Sequence, residues 1–185
     1  MNIEQKLRAL ADCGLKLKDE FGVPDLVNSW GREALDEPGY NLTLVCLGMT
    51  QEEPPWTPHC QNLWHFDTEC IDGDGSYARI AKRLAEMAQG SLPLSDLQDH
   101  VDIENGEAWV RFRFQGKPIQ IDCLVEDDWV DTRIFSRFVE LLAKSASNKL
   151  FVYYDLGGQD CIIGCVTREQ FAKLRSVLPA FQPLT

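Results

Sequence analysis

Apolar positions at the start of the chain recur at helical spacing. Ile3, Leu7, Leu10, Gly14, Leu17 and Phe21 advance in steps of four and three, which places them on one helical face. Gly22 and Pro24 are the expected stop. The pattern then predicts a short helix around Asp25–Trp30, a loop carrying Pro38-Gly39, and a buried strand from Asn41 to Met49. Residues 51–62 hold three prolines and little periodicity, and read as a loop. Leu63 to Cys70 alternates as a strand does. Leu63, His65, Asp67 and Glu69 fall on one face, Trp64, Phe66, Thr68 and Cys70 on the other. Asp72-Gly-Asp-Gly-Ser76 reads as a turn into a helix reaching about Gln89, buried through Tyr77, Ile80, Ala81, Leu84, Met87 and Ala88 and ended by Gly90.

Two turn signals organise the middle of the chain. Asn105-Gly106 and Gln115-Gly116 predict two successive hairpins with two-residue loops. The first register sets Val101 opposite Val110 and Ile103 opposite Ala108. The second sets Val110 opposite Ile121, Phe112 opposite Ile119 and Ala108 opposite Cys123. All of these share one apolar face. His100, Asp102, Glu104, Trp109, Arg111, Arg113, Gln120, Asp122 and Leu124 take the other, with Trp109 opposite both Asp102 and Asp122. A helix capped by Asp131 or Thr132 and running to about Lys144 follows, buried through Ile134, Phe135, Phe138, Leu141 and Leu142. A last hairpin pairs 150–156 with 160–167 around Gly157-Gly158, and Thr167 with Gln170 caps a final helix that ends at Pro179. The expectation is a single α+β domain over residues 1–185. It has a mostly antiparallel sheet of about six or seven strands, with the meander at its centre and the C-terminal hairpin beside it, and four main helices packed on it.

Charge changes the picture more than composition does. Between Asp19 and Ser76 stand twelve acids and one base, Arg32, a net −11 that equals the charge of the whole chain. A field this one-sided repels phosphate backbones and attracts basic surfaces, which argues for a basic protein partner and against nucleic acid. No apolar run approaches the roughly 18 residues of a membrane span, and the N-terminus lacks a signal core. Seven cysteines, an odd count in mostly apolar stretches, read as reduced thiols in a cytoplasmic protein.

Reaction chemistry finds little support. His59, Cys60, His65 and Cys70 are close in sequence but lack the Cys-x2-Cys spacing of a zinc knuckle, and strand alternation separates His65 from Cys70. Asp67, Glu69, Asp72 and Asp74 are candidates for a hard cation, and Asp72-Gly-Asp-Gly looks like part of a calcium loop. With Gly75 at its sixth position, however, Cys70 falls at the first and Ala81 where glutamate is required. The alternative for these acids is a turn that caps a helix. Cys161 after Gly-Gly-Gln-Asp is the least implausible nucleophile, set against a buried strand cysteine. Neither phosphate-binding glycine motif is present. No catalytic residue, metal or cofactor is therefore assigned, and the chain is not read as an enzyme.

The run Glu126-Asp127-Asp128-Trp129-Val130-Asp131 has the makeup of an interface anchor with a charged rim, or of a tryptophan stapled to the next helix. Trp56, between Pro55 and Thr57-Pro58, poses the same choice. The partner-binding candidates are Glu52, Glu53, Trp56, Asp67, Glu69, Asp72, Asp74, Glu126, Asp127, Asp128 and Trp129.

The stretches Leu-Trp-His-Phe-Asp-Thr-Glu (63–69), Val-Asp-Ile-Glu-Asn-Gly-Glu-Ala-Trp (101–109) and Asp-Leu-Gly-Gly-Gln-Asp-Cys (155–161) resemble small bacterial proteins. The whole resembles, in character, the immunity proteins of bacterial toxin–immunity pairs. That resemblance implies neutralisation of a basic toxin domain by occlusion of its active site, and it assigns no residue roles. Two other readings stay open: a metal-binding protein or enzyme using His59–Asp74, and an adaptor or structural subunit.

Overall fold

The first helix is shorter than its apolar stripe. Helix α1 spans Ile3–Asp12 and opens on a capping box: the Gln5 N–H donates to Asn2 Oδ1 at 3.0 Å, and the Asn2 N–H to Gln5 Oε1 at 3.1 Å. Gly14 then takes φ +87° and turns the chain away, so the expected continuation to Phe21 is incorrect. Leu17 instead forms an isolated antiparallel bridge with Cys60. The computed structural model describes residues 1–185, which form two compact units. One comprises Met1–Phe66 with Phe151–Pro183, the other Asp67–Leu150 with Leu184–Thr185.

In the first unit, Gly22 and Pro24 begin α2 (Val23–Trp30) rather than ending α1, and the Gly22 N–H donates to the Asp25 carboxylate at 2.7 Å. Helices α3 (Arg32–Asp36) and α4 (Asn41–Gly48) follow. The strand expected at 41–49 is thus a helix. Its run Leu-Thr-Leu-Val-Cys-Leu is apolar nearly all round, and such a run shows neither period, so burial alone does not separate strand from helix. Ile3, Leu26, Leu35 and Cys46 form a core cluster that joins the four helices. At the end of α4, a Cβ on Gly48 would lie 2.4 Å from the His65 backbone nitrogen, so only glycine allows this approach to β1 (Leu63–Asp67). Strand β1 stops short of Cys70. Both Leu63 and Phe66 are buried, which breaks the expected alternation.

Strands β5 (Lys149–Gly157), β6 (Asp160–Thr167) and the short β7 (Gln182–Pro183) complete a four-stranded sheet in the order β1-β6-β5-β7. The C-terminal hairpin and the Thr167/Gln170 capping box of α7 (Arg168–Val177) form as the sequence predicts.

The second unit holds α5 (Ser76–Met87), the meander β2 (Leu94–Asp102), β3 (Glu107–Phe114) and β4 (Lys117–Cys123), and α6 (Arg133–Lys144). The chain therefore builds two antiparallel sheets and seven helices, not one sheet with four helices. The second hairpin has the predicted register: Ala108, Val110 and Phe112 face Cys123, Ile121 and Ile119. The first slips. Val101 pairs with Ala108 and Asp102 with Glu107, leaving a four-residue loop in which Ile103 is 40% exposed. The Asp102 carboxylate causes this by accepting the Asn105 N–H at 2.9 Å and its side-chain amide at 2.7 Å. A two-residue slip keeps every side chain on its own face, so Val101, Ala108 and Val110 remain in the core. Trp109 consequently stands opposite His100, not Asp102, and still opposite Asp122. Helix α5 packs on β2 and β3, and α6 on β4; the ring of Phe138 on α6 lies 5.6 Å from that of Phe112 on β3.

Candidate functional site

Backbone hydrogen bonds in the second unit lace together two acidic segments that lie sixty residues apart. The Val130 N–H donates to Thr68 O at 2.8 Å and the Ile71 N–H to Asp128 O at 2.9 Å, with Glu69 bridged to Trp129 between them. The Trp129 N–H also donates to Glu126 O at 3.1 Å, closing a turn in which Asp127 adopts φ +54°. Asp67, Glu69, Glu126, Asp127 and Asp128 are thereby gathered around one tryptophan. Glu69, Glu126, Asp127 and Asp128 form no ion pair.

Trp129 is 42% exposed and helps wall a groove of about 510 Å³, shared with Leu124, Glu126, Val130, Asp131 and Arg133. Leu124 is 65% exposed. The groove has a firm polar foundation. The Asp131 carboxylate accepts the backbone N–H groups of Leu124 and Arg133 and the Arg133 guanidinium, while the Asp131 N–H donates to Tyr77 Oη at 3.0 Å. Burial raises the Asp131 carboxyl, but the Arg133 side chain and these backbone donors outweigh it and hold the group below the usual carboxylate range. Burial, foremost, pushes the nearby Cys123 thiol up to about 12 and raises Tyr77 as well.

The other acids of the predicted set have internal duties. The Asp72 carboxylate accepts the Ser76 hydroxyl at 2.6 Å and pairs with Arg79 at 2.9 Å; the Ser76 and Arg79 hydrogen bonds lower its pKa. The Asp74 carboxylate accepts the Val101 N–H at 2.7 Å and lies 3.2 Å from His100 Nδ1. Both sit in the turn before α5, where the sequence offered a capping role as the alternative.

Glu52, Glu53 and Trp56 belong to the first unit. There Glu52 and Glu53 line a separate groove of about 480 Å³ with Trp30, Met49 and His59, and Trp56 is 62% exposed. His59 Nδ1 donates to Cys46 O at 2.8 Å and its ring lies tilted against that of Phe21, centroids 4.5 Å apart. The Cys60 thiol donates to Asn62 Oδ1, and His65 Nε2 lies 3.5 Å from Asp160. No group of three or more His, Cys, Asp or Glu side chains is arranged to hold a metal ion. All seven cysteines are free, and burial pushes Cys46 and Cys70 up to about 11, so only about one thiol in ten thousand is a thiolate at neutral pH.

Leu124 and Arg133 were missed as site residues. Leu124 falls on the polar face of the meander, and a leucine there, two residues before a tryptophan-acid run, is the available signal. Arg133 had no sequence signal apart from its nearness to Asp131. No helix of the chain is long and apolar enough to cross a membrane. No protein-family model, curated protein sequence or solved structure matches this chain.

Proposed function

We propose that this chain is an acidic protein-binding domain, an immunity protein that neutralises a basic bacterial toxin domain in the cytoplasm by covering its active site. The observation that carries this reading is the convergence of residues 67–72 and 126–130 on Trp129, which sets a half-exposed aromatic anchor among Glu69, Glu126, Asp127 and Asp128, carboxylates that form no ion pair. Interfaces concentrate their affinity in such aromatic anchors and use charged rims to steer the approach. An acidic surface is also the complement of a domain built to bind nucleic acid, since both present carboxylates or phosphates to the same basic residues.

The test is direct. The reading requires a gene for a basic toxin domain beside this one; that domain is purified, and its activity is measured against increasing amounts of the chain. Stoichiometric inhibition, with association that slows as salt rises, is the expected result. Full toxin activity at molar excess of the chain would end the reading.

A further inference from the structure

We propose that the groove between Leu124 and Trp129 receives an apolar side chain flanked by lysine or arginine on a protein partner. This rests on the protein-binding reading above and adds what the partner must present. Leu124 and Trp129, 65% and 42% exposed, line one groove with the buried Val130. Two large apolar side chains converging on one concavity favour an apolar occupant. Trp129 is also held in place before binding, since its backbone is bonded to Glu126 on one side and bridged to Glu69 on the other. A backbone ordered in advance loses less freedom on association.

Charge selects among apolar occupants. Glu126 lines the groove and Asp127 and Asp128 continue from it, so bases beside the apolar residue meet carboxylates that have no ion partner. Arg133 works in the opposite sense. Its Nε and Nη2 are engaged by Asp131, which leaves Nη1 as a donor for an acceptor such as a partner backbone carbonyl. A chain of bases alone would answer the carboxylates but would leave Leu124 and Trp129 in water. A purely apolar segment would leave the carboxylates unanswered. A second copy of this chain would bring its own net charge of −11 to the same acidic face, and phosphate backbones are repelled likewise.

The experiment titrates the full-length chain, uniformly labelled with nitrogen-15, with three acetylated and amidated peptides. Their cores are Lys-Leu-Lys, Lys-Gly-Lys and Glu-Leu-Glu. The readouts are the Trp129 indole N–H, identified with Trp129→Phe, and the Leu124 amide. Lys-Leu-Lys should shift both and saturate at about millimolar concentration. Lys-Gly-Lys should bind roughly tenfold more weakly, as loss of one partly buried leucine side chain implies. Glu-Leu-Glu should leave both signals in place. Leu124→Ala, at an exposed position that leaves the fold intact, should abolish the preference for leucine over glycine, whereas Trp56→Ala should not.

Equal binding of the two lysine peptides, with shifts at Asp127 and Asp128 but not at Leu124, would overturn the groove while sparing the acidic surface. Failure of both lysine peptides to shift any resonance would remove both. Equal response to Lys-Leu-Lys and Glu-Leu-Glu would overturn the charge selection.

Discussion

Asp99 on β2 caps α5 from outside that helix. Its carboxylate accepts the Gly75 N–H at 2.9 Å on both oxygens and the Ala78 N–H at 3.0 Å on Oδ2. These donors belong to the first helical turn, where no intrahelical acceptor is available and the helix dipole favours a negative charge. Gly75, the N-cap residue, has no side chain to do this itself. Asp99→Ala should therefore cost about 1–3 kcal/mol, with Asp99→Asn recovering part of it. Urea denaturation checks this: an unchanged midpoint in the alanine variant means the cap contributes nothing.

Gly48→Ala should be as damaging for a different reason. The new methyl group would meet the His65 nitrogen at 2.4 Å and the Trp64 carbonyl carbon at 2.9 Å, both backbone atoms that cannot swing aside. Either α4 or β1 must move, at a cost of roughly 1–3 kcal/mol. Ordinarily this change favours a helix, so a stabilised Gly48→Ala variant would show that α4 does not press on β1 in this way.

Gly106 sits at φ +68° in the first hairpin loop, while Asn105 does not take a positive φ. The strain of substitution thus falls on one residue rather than on the two that a two-residue loop implies. Gly106→Val should cost about 1–3 kcal/mol, and Asn105→Ala should cost less, through the lost bond to Asp102. Thermal unfolding of the two variants measures the difference. Equal losses would favour the tighter turn over the loop described here.

The hairpins show what the sequence made legible and where it stopped. Gln115-Gly116 had no competing local acceptor, and its register followed from turn chemistry. Asn105-Gly106 carried the stronger signal but lay three residues beyond Asp102, whose carboxylate captured the Asn105 N–H and lengthened the loop. Because the slip is two residues, the core face survived the error. The helix at 41–48 was not legible, since a run buried on nearly all sides has no period to read. The long-range pairing of 67–72 with 126–130 was equally hidden. Both segments stand out in the sequence for their acids and aromatics, but backbone bonds across about sixty residues leave no local pattern. Leu124 and Arg133 belong to the site through the groove they share with Trp129, which no local pattern encodes.

The pair Asp131–Arg133 makes a prediction about acid. Asp131 is held below the ordinary value of 3.8, so its folded pKa is depressed. A depressed carboxyl contributes stability that is fully present above its unfolded pKa and is lost as pH falls through the folded one. Removing the guanidinium with Arg133→Met leaves burial opposed only by the backbone N–H groups of residues 124 and 133, so the carboxyl moves up from its wild-type value. The variant should therefore be less stable than wild type near pH 7. The gap should shrink as the pH falls below about 4, where the carboxyl of the unfolded chain is protonated as well. Urea midpoints at pH 7 and pH 3 test this, and an equal gap at both would show that the pair's charge is not what Arg133 contributes.

Steering and anchoring should separate in the binding kinetics. Exposed carboxylates act at a distance, over a Debye length that falls from ~10 Å at 0.1 M salt to ~3 Å at 1 M. Asp127→Lys with Asp128→Lys should therefore lower the on-rate for a basic partner at low salt and change little at high salt. Folding should be nearly unaffected, because neither acid forms an ion pair and exposed charges contribute little stability. Glu52→Lys with Glu53→Lys asks the same of the first unit, and a comparable slowing would make its acidic loop a second steering surface. Trp129→Ala should leave the on-rate close to wild type and raise the off-rate roughly thirtyfold, the equivalent of a ~2 kcal/mol anchor. The two effects should add, since one acts before contact and the other after it. If Trp129→Ala changed only the on-rate, or if charge reversal changed only the off-rate, this division between rim and anchor would be wrong.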